Sequence, residues 1–429
     1  MSYCEPSATS FVVDSANPIR TVAEGGAYIA SVCFKHGPPE HIGIELEWLL
    51  LDPSDPFRHP DAAILSAALR RHAPYTLNPD SPAAALPAGG LVTVEPGGQL
   101  EISSAPSTSI VDLIEAVQRD VGYLRALLEP TGFDLCGLAA DPHRPPTRIL
   151  HTQRYDAMAA AFDTISPAGR AMMCSTAATQ VCVDVGPADQ AGDRWRAAHY
   201  LGPVLLAAFA NSPRISGEQS RFVSHRMASW WQLDPQRTLP PPSLEPGDYV
   251  QRALDTQVLA RRRSQGSWQV KQPMTLRDWI SSGEPISAGD IDLHLSMMFP
   301  PVRPQGYLEL RYLDAQPAGQ WIAPLGLVAA LFATPDNIER VLHCCAEGSE
   351  RWQQATEIGL ADPVLRDCAR ALLTLAMSQL PRLDLPDPLT AGIERLLQRR
   401  LGEAISPAME QLSAAVAKPA ALTRQEVAG

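Results

Sequence analysis

Four short segments of this chain alternate polar and apolar side chains with a period of two, and that alternation decides what they can fold into. The first is Gly43-Ile44-Glu45-Leu46-Glu47-Trp48, which runs on into Leu49, Leu50 and Leu51. In a β-strand successive side chains point to opposite faces, so Glu45 and Glu47 project together while Ile44, Leu46 and Trp48 take the other side. The second is Gln99-Leu100-Glu101-Ile102-Ser103, with Gln99 and Glu101 on one face. Glu95 precedes it across Pro96-Gly97-Gly98, a turn whose glycines let the backbone reverse or approach a ligand closely. Thr179–Asp184 places Gln180, Cys182 and Asp184 together. In Tyr307–Asp314, Glu309 and Arg311 share one face and Leu308, Leu310 and Tyr312 the other.

Each segment alone allows two readings. The polar face can point to water, and Glu309–Arg311 can be a surface pair of little energetic weight. Alternatively, like charges lie side by side on a largely buried strand, which is costly. A divalent cation between them offsets that cost, and hard cations such as Mg²⁺ take oxygen ligands. Four such strands in one chain favour the second reading. A sheet with one face lined by Glu and Gln forms an acidic surface where Mg²⁺ can bridge to a triphosphate. Arg311, set among those carboxylates, can neutralise a transferring phosphoryl group.

The remaining pattern is mixed. Helices are expected over 21–34, 62–71, 110–128, 194–210, 324–332, 337–345 and most of 361–416; a further strand is expected around His294–Phe299. There is no regular βαβ alternation, so the fold class is α+β rather than a doubly wound parallel sheet. The 429 residues suffice for one large domain or two ordinary ones, with 336–417 read as a mostly helical C-terminal region and 418–429 as a frayed tail.

Composition narrows the function. A net charge of −12 argues against nucleic-acid or anionic-membrane partners. The lysines are Lys35, Lys271 and Lys418, so phosphate handling falls to arginines, which grip phosphate through two donors. No apolar run reaches the length of a membrane span, and residues 1–20 lack a secretory pattern. The eight cysteines contain no CxxC pair and read as reduced, so a cytoplasmic protein is expected. No Walker A or GxGxxG motif occurs. Arg226 and Trp230, four apart, share a helix or loop face suited either to clamping a substrate or to packing. No Ser/His/Asp or Cys/His constellation stands out, and His199, His225 and His294 read as structural or substrate-contacting.

The combination of GIELE (43–47), EPGGQLEIS (95–103), FANSP (209–213), TLRDW (275–279), His294-Leu295 with FPPVR (299–303), and YLELR (307–311) resembles the plant-type glutamate–cysteine ligase family. The matches keep the family's order from about residue 41 to 335, and EPGGQ-x-E with E-x-R is the specific part. The lysine-poor, proline-rich character is most similar to the actinobacterial branch that makes γ-glutamylcysteine for ergothioneine synthesis.

That resemblance implies a single catalytic domain over 1–429, built on a curled, mainly antiparallel sheet of about six strands forming a funnel, with helices outside. It implies ATP-dependent ligation of the glutamate γ-carboxylate to the amino group of cysteine through γ-glutamyl phosphate. ATP is then a co-substrate and Mg²⁺ the cofactor, with Mn²⁺ as a substitute. Glu45, Glu47, Glu95, Glu101 and Glu309 would hold the metal; Gln99, Gln180 and Arg311 would bind ATP, Arg311 as the catalytic residue at the γ-phosphate. Arg226, Trp230 and Thr176 would bind the amino acids. The partners are these small molecules, and the state a monomer or weak homodimer. One departure stands out: the family often has Arg-Thr-Cys-Thr before the glutamine, whereas this chain has Ser175-Thr176-Ala177-Ala178-Thr179-Gln180. A ligase using a different amine, and a non-catalytic ligand-binding relative, are the alternatives.

Overall fold

A computed structural model describes residues 18–417, so the tail expected over 418–429 lies outside the described residues. The strands are β1 (Ile42–Leu51), β2 (Leu91–Val94), β3 (Leu100–Ser103), β4 (Asp134–Cys136), β5 (Ala178–Asp184), β6 (Arg214–Ile215), β7 (Glu218–Gln219), β8 (Val302–Pro304) and β9 (Tyr307–Asp314). The main sheet runs β2-β3-β1-β5-β9-β8, with β4 paired to the end of β1, while β6 and β7 form a separate small hairpin. Its pairings among the described residues are all antiparallel. The α+β class holds, with seven strands in the main sheet where about six were expected.

The period-two pattern sets the two faces of this sheet. Ile44, Leu46, Trp48 and Leu50 are all at most 5% exposed, and Val181, Val183, Leu308, Leu310 and Tyr312 are buried with them. Burying each such side chain contributes roughly 1.5–3 kcal/mol. The helix Ala191–Phe209 packs against β9 on this side, and Tyr312 Oη donates to Ala198 O at 3.1 Å. The second half of that helix, 201–209, is buried and apolar all round, as a helix enclosed by the core must be.

The other helices form where apolar spacing and caps coincide. Thr21 and Glu24 make a reciprocal capping box for Val22–Cys33, and Ser109 caps Ile110–Leu128. The helices Ala62–Leu69, Ile322–Phe332 and Pro335–Cys345 fall where expected. The C-terminal region is helical over Pro363–Gln379, Asp387–Leu397 and Pro407–Ala417.

The expected strand around His294–Phe299 is instead the end of a helix, Ala288–Ser296. Ser287 accepts from Asp290 N while the Asp290 side chain bonds back to Ser287 N, a capping box that nucleates the helix. Ile291, Leu293 and His294 then bury toward the core, and extended pairing resumes only after Pro300-Pro301, at β8.

Candidate active site

The face of the sheet opposite the core carries the acidic residues. Glu47 of β1 lies directly across from Glu101 of β3, which in turn faces Thr93 of β2. Glu45 faces Ser103 on one side and Gln180 of β5 on the other. Cys182 of β5 faces Glu309 of β9, and Glu309 faces Arg303 of β8. Glu95 reaches the same region from the turn after β2, and its charge couples to Glu101 and Glu47. Thus the structure brings Glu45, Glu47, Glu95, Glu101, Gln180, Glu309 and Arg311 together on one surface.

Strands β5 and β9 are in register at Val181–Leu310 and again at Thr179–Leu313, so Gln180 faces two residues, Arg311 and Tyr312. This β-bulge turns the strand locally, a device that re-aims side chains beside active sites. Tyr312 stays on the core side. Arg311 turns to the acidic side, where its Nη1 bonds Glu309 Oε1 and its guanidinium lies 5.6 Å from the Trp230 ring centre. The Arg311 backbone N–H is fixed by Pro301 O at 2.9 Å. Its buried Nε has no hydrogen-bond partner, leaving a donor in reserve.

Arg226 and Trp230 lie on one face of the helix His225–Trp231, with the Arg226 guanidinium 4.9 Å from the ring centre. Trp230 therefore contacts two guanidinium groups. Arg226 Nη2 donates to the Arg311 carbonyl at 2.8 Å, so the helix and the bulge are tied together. Behind Arg226, the fully buried Asp314 accepts from Asn211 N, Ser212 Oγ and Ser224 Oγ, and its carboxylate lies 3.8 Å from Arg226 Nη1. The C-terminal helix reaches this network through Gln411 Nε2, which donates to Asn211 Oδ1 at 2.6 Å.

The carboxylates differ in what holds them. Burial, and then the charges of Glu309 and Glu101, push Glu45 well above the usual carboxylate range. Burial and Glu101 raise Glu95 to about 8, and burial and Glu47 raise Glu101 to about 7. Burial also raises Glu47, against the opposing pull of Arg226, Arg311 and the Ala178 N–H. Glu309 goes the other way: burial would raise it, but Arg303 and Arg311 hold it at about 2. Glu47 accepts from Ala178 N and Gln180 Nε2, and Glu101 from Thr93 and Ser103 hydroxyls. Among the described residues no hydrogen bond reaches the carboxylates of Glu45 or Glu95.

Two expected site residues spend their polar atoms on backbone. Gln99 Nε2 donates to Thr176 O at 2.9 Å, and Gln99 Oε1 accepts from Gly97 N. Thr176 Oγ1 donates to Met172 O. Both brace the turn that presents Glu95, where a Cβ on Gly97 would come within 2.1 Å of Cys174 O. Four further residues were given no site role from the sequence. Arg303 and Gln305 bond Glu309, Asp314 backs Arg226, and Arg154 brings positive charge to Glu95 while its own Nε lacks a partner. Of the three histidines singled out, His199 and His294 bond backbone carbonyls and are held by burial to about 4 and about 3, while His225 bonds Ser220 Oγ.

Among the described residues, no three His, Cys, Asp or Glu side chains converge closely enough to hold a metal ion by themselves. Mg²⁺, however, is ordinarily held by one or two carboxylates together with substrate phosphates, not by an all-protein cage. Glu45 and Glu95, which accept no hydrogen bond among the described residues and are raised by burial and then by like charge, fit that donor chemistry, as does the buried, unpartnered Gln180 Oε1.

This charge crowding has a consequence for stability. A carboxylate whose folded pKa is raised keeps its proton when the unfolded chain has lost it, so its stabilising contribution is present below pH 4.5 and lost as pH rises through the folded value. For Glu101 and Glu95 that window ends near 7 and 8. We expect the metal-free protein to lose on the order of 1 kcal/mol between pH 7 and 8 in chemical denaturation, and Glu95→Gln to flatten the slope. Stability constant or rising over that interval would contradict the charge assignment.

Fold and site together define an α+β protein with a carboxylate-lined sheet face opposed by arginines. The chain matches Glutamate-cysteine ligase family 2 (GCS2) over residues 41–400, and it belongs to that family. It is 34% identical over 398 residues to glutamate–cysteine ligase EgtA of Mycobacterium tuberculosis (strain ATCC 25618 / H37Rv), covering 89% of this chain and 90% of that protein. It is 32% identical over 416 residues to EgtA of Mycolicibacterium smegmatis, covering 94% of each. The chloroplastic glutamate–cysteine ligase of Arabidopsis thaliana is 29% identical over 313 residues, 68% of this chain and 60% of that protein. The fold is similar to a crystal structure of glutamate–cysteine ligase from Francisella tularensis in complex with AMP, with a TM-score of 0.54, 13% identity, and coverage of 89% and 86%. No helix among the described residues is long and apolar enough to cross a membrane.

Proposed function

We propose that this chain is an ATP-dependent glutamate–cysteine ligase acting at the acidic sheet face. The observation that carries the reading is that Glu45, Glu47, Glu95 and Glu101 share a surface with Arg311 and Arg226 in a member of this ligase family. A carboxylate is a poor electrophile toward an amine and must first be activated. A γ-carboxylate oxygen of glutamate attacks the γ-phosphorus of ATP, the bond to the ADP oxygen breaks, and γ-glutamyl phosphate forms. The cysteine amino nitrogen then attacks the γ-carbonyl carbon, loses a proton, and inorganic phosphate leaves with the former carboxylate oxygen.

In this reading Arg311 faces the transferring phosphoryl group and stabilises the negative charge on its oxygens, with no reorganisation because the bulge, Glu309 and Trp230 already hold it. Arg226, oriented by Asp314 and fixed to the Arg311 carbonyl, would offer its guanidinium to an amino-acid carboxylate. Glu45 and Glu95 would hold Mg²⁺, with Glu47 and Glu101 beside them on the same face, and the ion would offset the charge of the triphosphate. Glu309 contributes by anchoring Arg311. The mechanism needs no covalent enzyme intermediate. As the likeness to the actinobacterial branch suggests, the product feeds ergothioneine synthesis, in the cytoplasm.

The acceptor is tested by ATP- and glutamate-dependent phosphate release across a panel of amines. Cysteine is expected to give a kcat/KM at least about tenfold above alanine, serine or 2-aminobutyrate, since a site built for a substrate's polar group rejects analogues lacking it. No preference for cysteine would favour a ligase for another amine, and no phosphate release with any amine a non-catalytic relative.

A further inference from the structure

Glu309 is held by three side chains, two of which, Arg303 and Gln305, come from outside its own strand. Arg303, directly opposite on β8, donates through Nε to Oε2 at 2.7 Å and through Nη2 to Oε1 at 3.0 Å. Gln305 Nε2 adds a bond to Oε2 at 2.8 Å, and Arg311 Nη1 shares Oε1. Glu309 is 0% exposed, so these side chains, rather than water, satisfy its carboxylate. A carboxylate and a guanidinium left to themselves favour a two-bond fork. Here Arg303 already occupies the fork, so Arg311 is limited to a single bond. The limit leaves the other Arg311 donors uncommitted, including the buried Nε that has no partner.

We propose that Arg303 is a positioning residue for the nucleotide's terminal phosphate: by filling the fork on Glu309 it prevents Glu309 from capturing both Arg311 donors. The inference rests on the reading of Arg311 as the γ-phosphate contact. Lysine at 303 keeps the charge that Glu309 requires but bonds as a single point, so it vacates the fork. Arg311 then closes onto Glu309 and withdraws from the phosphate.

Calorimetry with Mg²⁺ and either ADP or a non-hydrolysable ATP analogue separates this from a structural role. For Arg303→Lys the expected result is analogue binding weakened by about tenfold, ADP binding within about twofold of wild type, and kcat lowered while the KM for glutamate holds. Arg303→Gln, which also offers only single bonds, is read identically where the lysine variant does not fold. Unchanged analogue affinity, or equal weakening of ADP and analogue, would overturn the proposal while wild-type binding left the functional reading intact. A wild-type protein that binds the analogue no more tightly than ADP would remove the γ-phosphate contact and the proposal with it.

Discussion

Replacing Arg311 with methionine is expected to lower kcat by roughly 10²–10³ while leaving the protein folded, the range seen when a preorganised donor to developing charge is removed. The fold should survive because Glu309 keeps Arg303 and Gln305, so no buried carboxylate is orphaned. The backbone bonds at this position, from its N–H to Pro301 O and from Arg226 Nη2 to its carbonyl, do not depend on the side chain. Methionine also retains apolar contact with Trp230. The KM for glutamate should move little, because Arg311 acts on the phosphoryl group. Steady-state kinetics alongside thermal unfolding decide the matter. A kcat within about threefold of wild type would exclude Arg311 from the chemistry, since transition-state donors are worth far more.

Glu45→Gln is expected to separate stability from activity. The Glu45 carboxylate accepts no hydrogen bond among the described residues, and burial together with Glu309 and Glu101 disfavours its charge. A neutral amide of the same shape relieves that repulsion, so the metal-free variant should unfold at or above the wild-type temperature. Activity should fall by about 10²-fold at fixed Mg²⁺ and the Mg²⁺ concentration for half-activity should rise by at least tenfold, the scale set by loss of one charged ligand. Destabilisation at a functional site that is relieved by inactivation is a recognised trade-off. A variant with normal activity and unchanged Mg²⁺ dependence would remove Glu45 from the metal site.

Much of this site is legible in the chain because strand alternation is local. Glu45 and Glu47 fall on one face, and Leu308, Leu310 and Tyr312 on the other, whatever the tertiary partners. Arg226 over Trp230 follows from helical spacing alone. What lies beyond local pattern is register. Arg303 meets Glu309 only because β8 and β9 pair as they do, and the bulge facing Gln180 depends on β5 lying beside β9. Gln99 and Thr176 show the converse: the family resemblance implies ligand contacts there, but beside the Gly97 turn, packed closely on Cys174, both polar groups bond backbone. The helix at Ala288–Ser296 was readable, since Ser287 and Asp290 have capping-box spacing; the apolar run after it masked that signal.

The most direct test of the central claim is oxygen transfer. With glutamate labelled by ¹⁸O in the γ-carboxylate, ATP, Mg²⁺ and cysteine, mass spectrometry of the released phosphate should find one labelled oxygen per turnover, carried over from γ-glutamyl phosphate. Unlabelled phosphate released in step with product would mean that the γ-carboxylate is never phosphorylated, and would contradict the account.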